Sequence, residues 1–272
     1  MAASKTIKVP HLGGIVAGYK LSADTYDPSK PTCVLINSMC TTTSLYQTQF
    51  ESEKLTTLMN LLAIEPLGHG STSSPKEHFT YWDSAIMALQ VMDGLGIQKA
   101  FALGTSQGGW IVARMALLAP DRILGIMPLG TSMDYESPDS RTKGCWDPVP
   151  LLSPFYEKWT STTATPEFVV DDVWCGMVSG LGLGEGASAD LIEFWNKTVK
   201  EVYSGDEGRK KLRMAGTNDV PFGITAPGEQ IKLFTGSKEA KLVMVEGGAH
   251  YLNATNPTEV NDALVDLVNK YK

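Results

Sequence analysis

Seven short apolar runs, separated by turn residues, recur along the chain. They are four to seven residues long, and the last five have the length of a strand that is buried on both faces of a sheet. A turn at Gly13-Gly14 separates the first two. The runs predict the strands Thr6–Val9, Ile15–Leu21, Thr32–Ile36, Leu61–Ile64, Lys99–Leu103, Ile123–Leu129 and Lys241–Val245.

Helical periodicity occupies several of the intervals between these runs. Residues 81–92 carry large apolar side chains three or four positions apart, which predicts an amphipathic helix. Residues 110–118 and the segment after Pro257, where proline suits the first helical position, predict two more helices. Because strands and helices alternate, we predict an α/β fold with a mainly parallel sheet that helices cover on both faces. The stripe of the first helix is Trp82, Ile86, Leu89 and Met92.

One segment, residues 134–208, breaks this alternation because it is rich in aromatic residues. It holds four of the six tryptophans of the chain among proline, serine and glycine. We interpret it as a mostly helical cap that is inserted after the sixth strand, between core segments 1–133 and 209–272. The alternative is an ordinary second lobe with its own core. The four tryptophans are Trp146, Trp159, Trp174 and Trp195.

Composition narrows the functional classes. The 272 residues are 43 % hydrophobic and 19 % charged, which excludes a disordered chain. The net charge of −7 argues against nucleic acid as a partner, because phosphate binding needs a surplus of basic side chains. No apolar run approaches the 20 or so residues of a membrane span, and no signal-peptide core is evident. The four cysteines show neither a CxxC pair nor metal-ligand spacing, which favours reduced thiols in the cytoplasm.

The sequence Gly104-Thr105-Ser106-Gln107-Gly108 is the most informative motif. It follows a predicted buried strand and precedes a predicted helix, which is the context of a nucleophile elbow. The serine of such a turn adopts a strained backbone conformation, and side chains at the two glycine positions would collide with neighbouring elements. We therefore predict Ser106 as a catalytic nucleophile at the carboxyl edge of the sheet.

A serine hydroxyl needs a base beside it to act as a nucleophile near neutral pH. His250 follows the last predicted strand through a loop with two glycines, so it belongs to the same edge of the sheet as Ser106. We predict His250 as the general base. His69, in the loop after the fourth strand, is the weaker candidate, since a histidine at this position also suits the role of holding the loop by hydrogen bonds.

The base needs a carboxylate to orient its ring. Asp219, in a Gly-Thr-Asn-Asp turn 31 residues before His250, is the preferred acid. Asp134, just after the sixth strand, is the alternative, and both aspartates also suit ordinary turns.

Oxyanion stabilisation requires two backbone N–H groups near Ser106. We predict that they come from Gln107 and from Met39, the latter in the loop after the third strand. The adjacent Cys40 fits a small buried hydrophobe better than a nucleophile. The predicted substrate pocket is lined by Ser38, Trp146, Trp159 and Trp174.

Taken in chain order, the motifs resemble those of α/β-hydrolases over nearly the whole sequence. More narrowly, residues 129–137, 144–146 and 246–252 resemble hydrolase-like proteins of fungal toxin and polyketide gene clusters. That resemblance implies an enzyme that acts, without a cofactor, on an acyl or lactone group of a hydrophobic small molecule. The sequence departs from the family pattern in having Asn37-Ser38 where many members have His-Gly. It also has a helix-like stretch, residues 208–215, in place of an apolar strand before the turn of Asp219.

These observations predict a cytoplasmic serine hydrolase that cleaves an ester, thioester or lactone. It would have no cofactor or metal and no nucleic-acid partner. A homodimer is possible on this sequence. One alternative is a carbon–carbon lyase, decarboxylase or cyclase that uses the same site on a polyketide-like substrate. The other is a non-catalytic protein that binds a ligand in this pocket.

Overall fold

The computed structural model describes residues 4–131, 138–142, 153–155, 158–159, 161, 163–215 and 231–272. Its six strands form one sheet in the order β1-β2-β4-β3-β5-β6. Strands β3 to β6 are parallel, whereas β1 and β2 pair in antiparallel fashion at one edge. The strands are β1 (Lys5–Val9), β2 (Ile15–Leu21), β3 (Thr32–Ile36), β4 (Asn60–Ile64), β5 (Ala100–Thr105) and β6 (Ile123–Leu129).

The helices include the three that the periodicity predicts, and several of their starts carry capping side chains. At Thr80 a capping box with Asp83 starts α3, while Ser52 and Ser188 cap α2 and α7. The helices are α1 (Gln47–Phe50), α2 (Glu53–Leu58), α3 (Tyr81–Gly94), α4 (Gln107–Leu118), α5 (Pro138–Thr142), α6 (Asp172–Leu183), α7 (Ala189–Val202), α8 (Gly205–Ala215), α9 (Leu252–Thr255) and α10 (Pro257–Tyr271).

Helices cover both faces of the sheet, as predicted. On one face, α3 and α4 pack buried side chains such as Met87 and Ile111 against Val34 and Leu62. On the other face, α10 packs Leu264 against the strands, together with α2. The strands β3, β4 and β5 are buried along their whole length, which explains why they read as continuous apolar runs. Within the described residues no helix is long and apolar enough to cross a membrane.

The predicted strand Lys241–Val245 is wrong. These residues form no strand, and Leu242, Val243 and Met244 are all exposed. A strand needs a neighbour for its backbone hydrogen bonds, and no described strand pairs with residues 241–245. An apolar run alone was therefore a misleading signal at this position.

The described part of the aromatic segment is mostly helical, as α6, α7 and α8 follow one another. Side chains of α6 and α7, and of the residues just outside these two helices, form a hydrophobic cluster, hereafter the aromatic cluster, that also takes in side chains from two loops of the core. The helix α8 runs across residue 209, the predicted start of the second core segment, and it confirms that residues 208–215 are helical. The aromatic cluster consists of Met39, Cys40, Leu45, Phe155, Trp159, Phe168, Val170, Trp174, Cys175, Val178, Leu183, Trp195, Val199, Tyr203 and Tyr251.

Candidate active site

Ser106 lies at a sharp turn between β5 and α4. Its φ of 54° and ψ of −117° place a non-glycine residue in a strained conformation. A Cβ added to Gly104 would lie 2.1 Å from the Gly108 carbonyl oxygen, and one added to Gly108 would lie 1.9 Å from the carbonyl oxygen of Ile36. Both flanking glycines are therefore required by close backbone contacts, and the turn has the geometry of a nucleophile elbow.

His250 lies beside this serine. Its Nε2 is 2.8 Å from Ser106 Oγ, a normal hydrogen-bond distance, although 144 residues separate the two in the chain. Burial of the imidazole lowers the pKa of His250 to about 4. The ring is therefore neutral at physiological pH, which is the state in which it can accept a proton from the serine.

Contacts on both sides fix the backbone of His250. The N–H of the next residue, Tyr251, donates to the carbonyl oxygen of Gly182 in α6 at 2.7 Å. A Cβ on Gly130, whose φ is +51°, would lie 2.7 Å from the His250 carbonyl oxygen. The end of β6 and the end of α6 thus approach the histidine loop closely, and both approaches depend on glycine.

The two candidate acids, Asp219 and Asp134, lie outside the described residues, so the choice between them stays open. The weaker candidate base, His69, lies elsewhere: it is fully buried, and its Nδ1 is 2.9 Å from the Leu67 carbonyl oxygen. Burial lowers its pKa to about 4 as well. His69 thus holds its own loop and is not the partner of Ser106.

The loop after β3 carries Met39 and is shaped by Asn37. The Asn37 side-chain amide donates to the carbonyl oxygens of Ser38 at 3.1 Å and Thr41 at 2.9 Å, which closes the loop on itself. Cys40 has a φ of +54° and is buried, as expected of a small hydrophobe. Gln107 is the first residue of α4, so its N–H has no acceptor within the helix and is available to an oxyanion.

Of the four predicted pocket residues, three are described, and Trp146 lies outside the described residues. Trp159 and Trp174 are buried in the aromatic cluster, where their rings meet edge to face at 4.7 Å between centroids. Ser38 is buried beside Met39, and its hydroxyl has no hydrogen-bond partner among the described residues. The aromatic cluster therefore adjoins the loop of Met39 and, through Tyr251, the loop of His250.

The sequence did not predict a set of buried polar residues that lies next to Ser106 and His250. Thr105 precedes Ser106, and its hydroxyl donates to the side-chain oxygen of Asn253 at 2.9 Å. Tyr46 donates from its hydroxyl to the carbonyl oxygen of Ile36 at 2.6 Å. The only signal was proximity to the motifs: Asn253 lies three residues after His250, and Thr105 lies inside the elbow.

The arrangement suits covalent chemistry on a carbonyl carbon. It combines an oriented hydroxyl, a neutral base at hydrogen-bond distance and a helix N-terminus beside the hydroxyl. Among the described residues no group of three or more His, Cys, Asp or Glu side chains is placed to hold a metal ion.

Comparisons with known proteins address the fold. The family model described as the alpha/beta hydrolase fold matches residues 34–148, which include the end of β3, the strands β4 to β6 and the elbow. No curated protein sequence matches the chain significantly.

Solved structures match over nearly the full length. A hydrolase from Pseudomonas aeruginosa PA01 is 19 % identical, with a TM-score of 0.70 over 97 % of this chain and 98 % of that one. A thermophilic esterase from Thermogutta terrifontis is 15 % identical, with a TM-score of 0.72 over 98 % and 99 %. The enol-lactonase from Burkholderia xenovorans LB400 is 17 % identical, with a TM-score of 0.69 over 97 % and 100 %. The sheet, the elbow, the family match and these likenesses agree: the chain has the α/β-hydrolase fold.

Proposed function

We propose that this chain is a serine hydrolase that cleaves an ester, thioester or lactone of a hydrophobic small molecule. One observation carries the proposal: the 2.8 Å contact between Ser106 Oγ and His250 Nε2 at a strained turn that opens a helix. A polar residue held in strain and beside a neutral base is typical of a catalytic nucleophile.

The reaction follows from this geometry. His250 Nε2 takes the proton of Ser106 as the serine oxygen attacks the carbonyl carbon of the substrate. The N–H groups of Gln107 and Met39 stabilise the oxyanion that forms. The intermediate collapses when His250 returns the proton to the departing alcohol or thiol. Water then attacks the acyl-serine with His250 as base, which releases the carboxylic acid and restores Ser106.

An aspartate completes the proposed triad by binding the second ring nitrogen of His250, with Asp219 preferred and Asp134 as the alternative. Replacing each with asparagine separates the two. We expect the triad acid to lose about 10³- to 10⁴-fold in kcat, because the wrong tautomer of the histidine then prevails, and the other aspartate to lose little.

The aromatic cluster supports a hydrophobic substrate. Buried tryptophans on the cap approach the loops of Met39 and His250, so an acyl chain that reaches Ser106 would contact apolar side chains. The names of the similar structures, an esterase and an enol-lactonase, favour ester and lactone substrates. The resemblance to proteins of fungal gene clusters favours a polyketide-like acyl group within that class.

We propose a cytoplasmic location because the described cysteines are buried thiols. Cys33, Cys40 and Cys175 are all buried, and burial raises the pKa of Cys33 to about 12 and that of Cys175 to about 11. Such thiols are unreactive and persist in a reducing compartment.

Hydrolysis of a panel of p-nitrophenyl esters and small lactones tests the proposal. Wild-type protein should turn over at least one medium-chain substrate, and Ser106→Ala and His250→Ala should each lose most of that activity. A protein that converts its substrate at an unchanged rate after Ser106→Ala would be a lyase or cyclase. Binding of a hydrophobic ligand without turnover of any substrate would indicate a non-catalytic protein.

A further inference from the structure

A network of buried polar side chains links the three loops of the candidate active site. We call it the three-loop network. All its members are buried, and hydrogen bonds of 2.9 to 3.0 Å join Thr105 to Asn253 and Gln49 to Asn253 and Asn261. The Tyr46 hydroxyl lies 3.0 Å from Thr105 Oγ1. Its members are Tyr46, Gln49, Thr105, Asn253 and Asn261.

Asn253 is the centre of this network. Its side-chain nitrogen donates to the Leu45 carbonyl oxygen at 2.8 Å, and its side-chain oxygen accepts from Thr105 Oγ1 at 2.9 Å. Its backbone oxygen accepts from Gln49 Nε2 at 2.9 Å and from Thr48 Oγ1 at 2.8 Å. All the hydrogen-bonding atoms of this side chain and the backbone carbonyl are thus engaged in bonds that cross between segments of the chain.

The chemistry of the partners fixes the orientation of the amide. A backbone carbonyl can only accept, so the amide nitrogen must face Leu45, and the amide oxygen must then face Thr105. The Thr105 hydroxyl is consequently the donor in its bond to Asn253. The Tyr46 hydroxyl, 3.0 Å from Thr105 Oγ1, donates to Ile36, the last residue of β3.

Each contact ends beside a candidate catalytic group. Thr105 is bonded directly to Ser106 in the chain, and Ile36 and Leu45 flank the loop that carries Met39. Asn253 lies three residues after His250. Residues 241–245 form no strand, so no described strand leads into the His250 loop. After the loop, Asn253 ties the chain to Thr105 and Leu45.

We infer that Asn253 is a positioning residue that sets His250 against Ser106 and against the loop of Met39. It acts through Thr105 and the histidine loop and does not touch the substrate. This role rests on the proposed hydrolase function, since it concerns the alignment of the same groups. A misplacement of a catalytic group by about 1 Å costs on the order of 10²-fold in rate, so alignment is sensitive to the loss of one such anchor.

The first test is Thr105→Val, which removes the hydroxyl but keeps the shape of the side chain. We expect kcat for a p-nitrophenyl ester to fall about 10- to 100-fold with little change in KM. Thr105→Ser restores the hydroxyl and should recover most of the lost kcat. Assays are run well below the melting temperature of each variant, so that a purely structural role would lower the melting temperature and leave kcat unchanged.

The second test compares two buried asparagines. Asn60 also binds backbone carbonyls, those of Asp27 at 2.7 Å and Lys30 at 3.2 Å, but it lies at the amino end of β4, away from the site. Asn60→Ala and Asn253→Ala should both lower the melting temperature, and only Asn253→Ala should lower kcat. If Asn253→Ala does not fold, Thr105→Val decides.

A structural measurement separates this inference from the proposed function. Crystal structures of wild type and Thr105→Val give the distance from His250 Nε2 to Ser106 Oγ, which we expect to leave hydrogen-bonding range in the variant. If wild type hydrolyses no ester, the proposed function fails and this distance still decides the role of the network. An unchanged distance, or a folded Thr105→Val variant with kcat within twofold of wild type, overturns the inference.

Discussion

At the scale of single residues, the elbow shows how a strained position is held. The positive φ of Ser106 costs about 1–3 kcal/mol. The conformation persists because close contacts with the surrounding chain hold the turn in place. The closest surroundings are backbone atoms of Gly108 and Ile36, which leave no room for a side chain at the glycine positions. The sequence predicted this turn because its serine and both glycines lie within five consecutive residues, although the contact with Ile36 forms only in the folded sheet.

Gly108→Ala should abolish the site. A Cβ at this position would lie 1.9 Å from the Ile36 carbonyl oxygen, so either β3 or the elbow must move. We expect esterase activity to fall by more than about 10²-fold, together with a lower melting temperature. The matched control is Gly176→Ala in α6, where nothing lies within 4 Å and alanine should stabilise the helix by up to about 1 kcal/mol. Equal behaviour of the two variants would contradict the account.

The pKa of His250 predicts the pH dependence of catalysis. Since burial lowers this pKa to about 4, the ring stays neutral, and competent as a base, on acidification past pH 6.5. We expect kcat/KM to remain constant from pH 8 to below pH 6.5 and to fall only as the pH approaches 4. Circular dichroism at each pH controls for unfolding. A fall centred at pH 7 in folded protein would contradict the lowered pKa of His250.

At the scale of elements, apolar runs predicted strands correctly where neighbouring strands complete the hydrogen bonding. The runs that became β3, β4, β5 and β6 each have parallel partners. The run Lys241–Val245 has the same composition but no described partner, and a short apolar segment by itself does not specify a strand. Strand pairing requires two segments, so the sequence of residues 241–245 alone could not show that these residues have no described partner strand.

A buried arginine ties the helix α8 to the aromatic segment. Arg209 in α8 donates to the Trp159 carbonyl oxygen at 3.0 Å and pairs with Asp206 at 2.9 Å. An N–H donated by Thr165, together with Arg209, lowers the pKa of Asp206 to about 2. These contacts join α8 to the residues around Trp159, which lie about 50 positions earlier in the chain.

Arg209→Met should therefore destabilise the protein. We expect a loss of roughly 2–4 kcal/mol in the free energy of unfolding, because a buried charge-assisted network loses its donor. Lys210→Met, which removes a neighbouring cation from the surface, should cost at most about 1 kcal/mol. Chemical denaturation of both variants measures the difference. Similar losses would show that the contacts of Arg209 with Trp159 and Asp206 add little to stability.

At the scale of the whole molecule, the site is assembled from segments that are distant in the chain. Ser106 and His250 are 144 residues apart, yet both were predicted, because each belongs to a motif with its own local signal. The partners Thr105 and Asn253 are 148 residues apart and carry no such signal. Long-range polar contacts of this kind depend on how the layers pack, which the periodicity of a sequence does not encode.

Two histidines with lowered pKa values should make the fold sensitive to acid. His69 and His250 both have a pKa near 4 in the folded protein, whereas an unfolded histidine has a pKa of about 6.5. Between these values the unfolded state binds more protons, so the free energy of unfolding falls as the pH drops from 6.5 to 4. For the fully buried His69 the full loss is on the order of 3 kcal/mol.

Urea denaturation at pH 7 and pH 5 measures this dependence. His69→Leu cannot titrate at this position, so its stability should change less between the two pH values than that of wild type. Equal pH dependence in both proteins would show that His69 is not the acid-sensitive group.

The most direct test of the central claim is where a fluorophosphonate reacts. Such a probe forms a covalent bond only with an activated serine, and peptide mass spectrometry locates the adduct. We predict stoichiometric modification of Ser106 in wild-type protein, slower modification in His250→Ala, and none in Ser106→Ala. Folded wild-type protein that stays unmodified, or an adduct on another residue, would contradict the account.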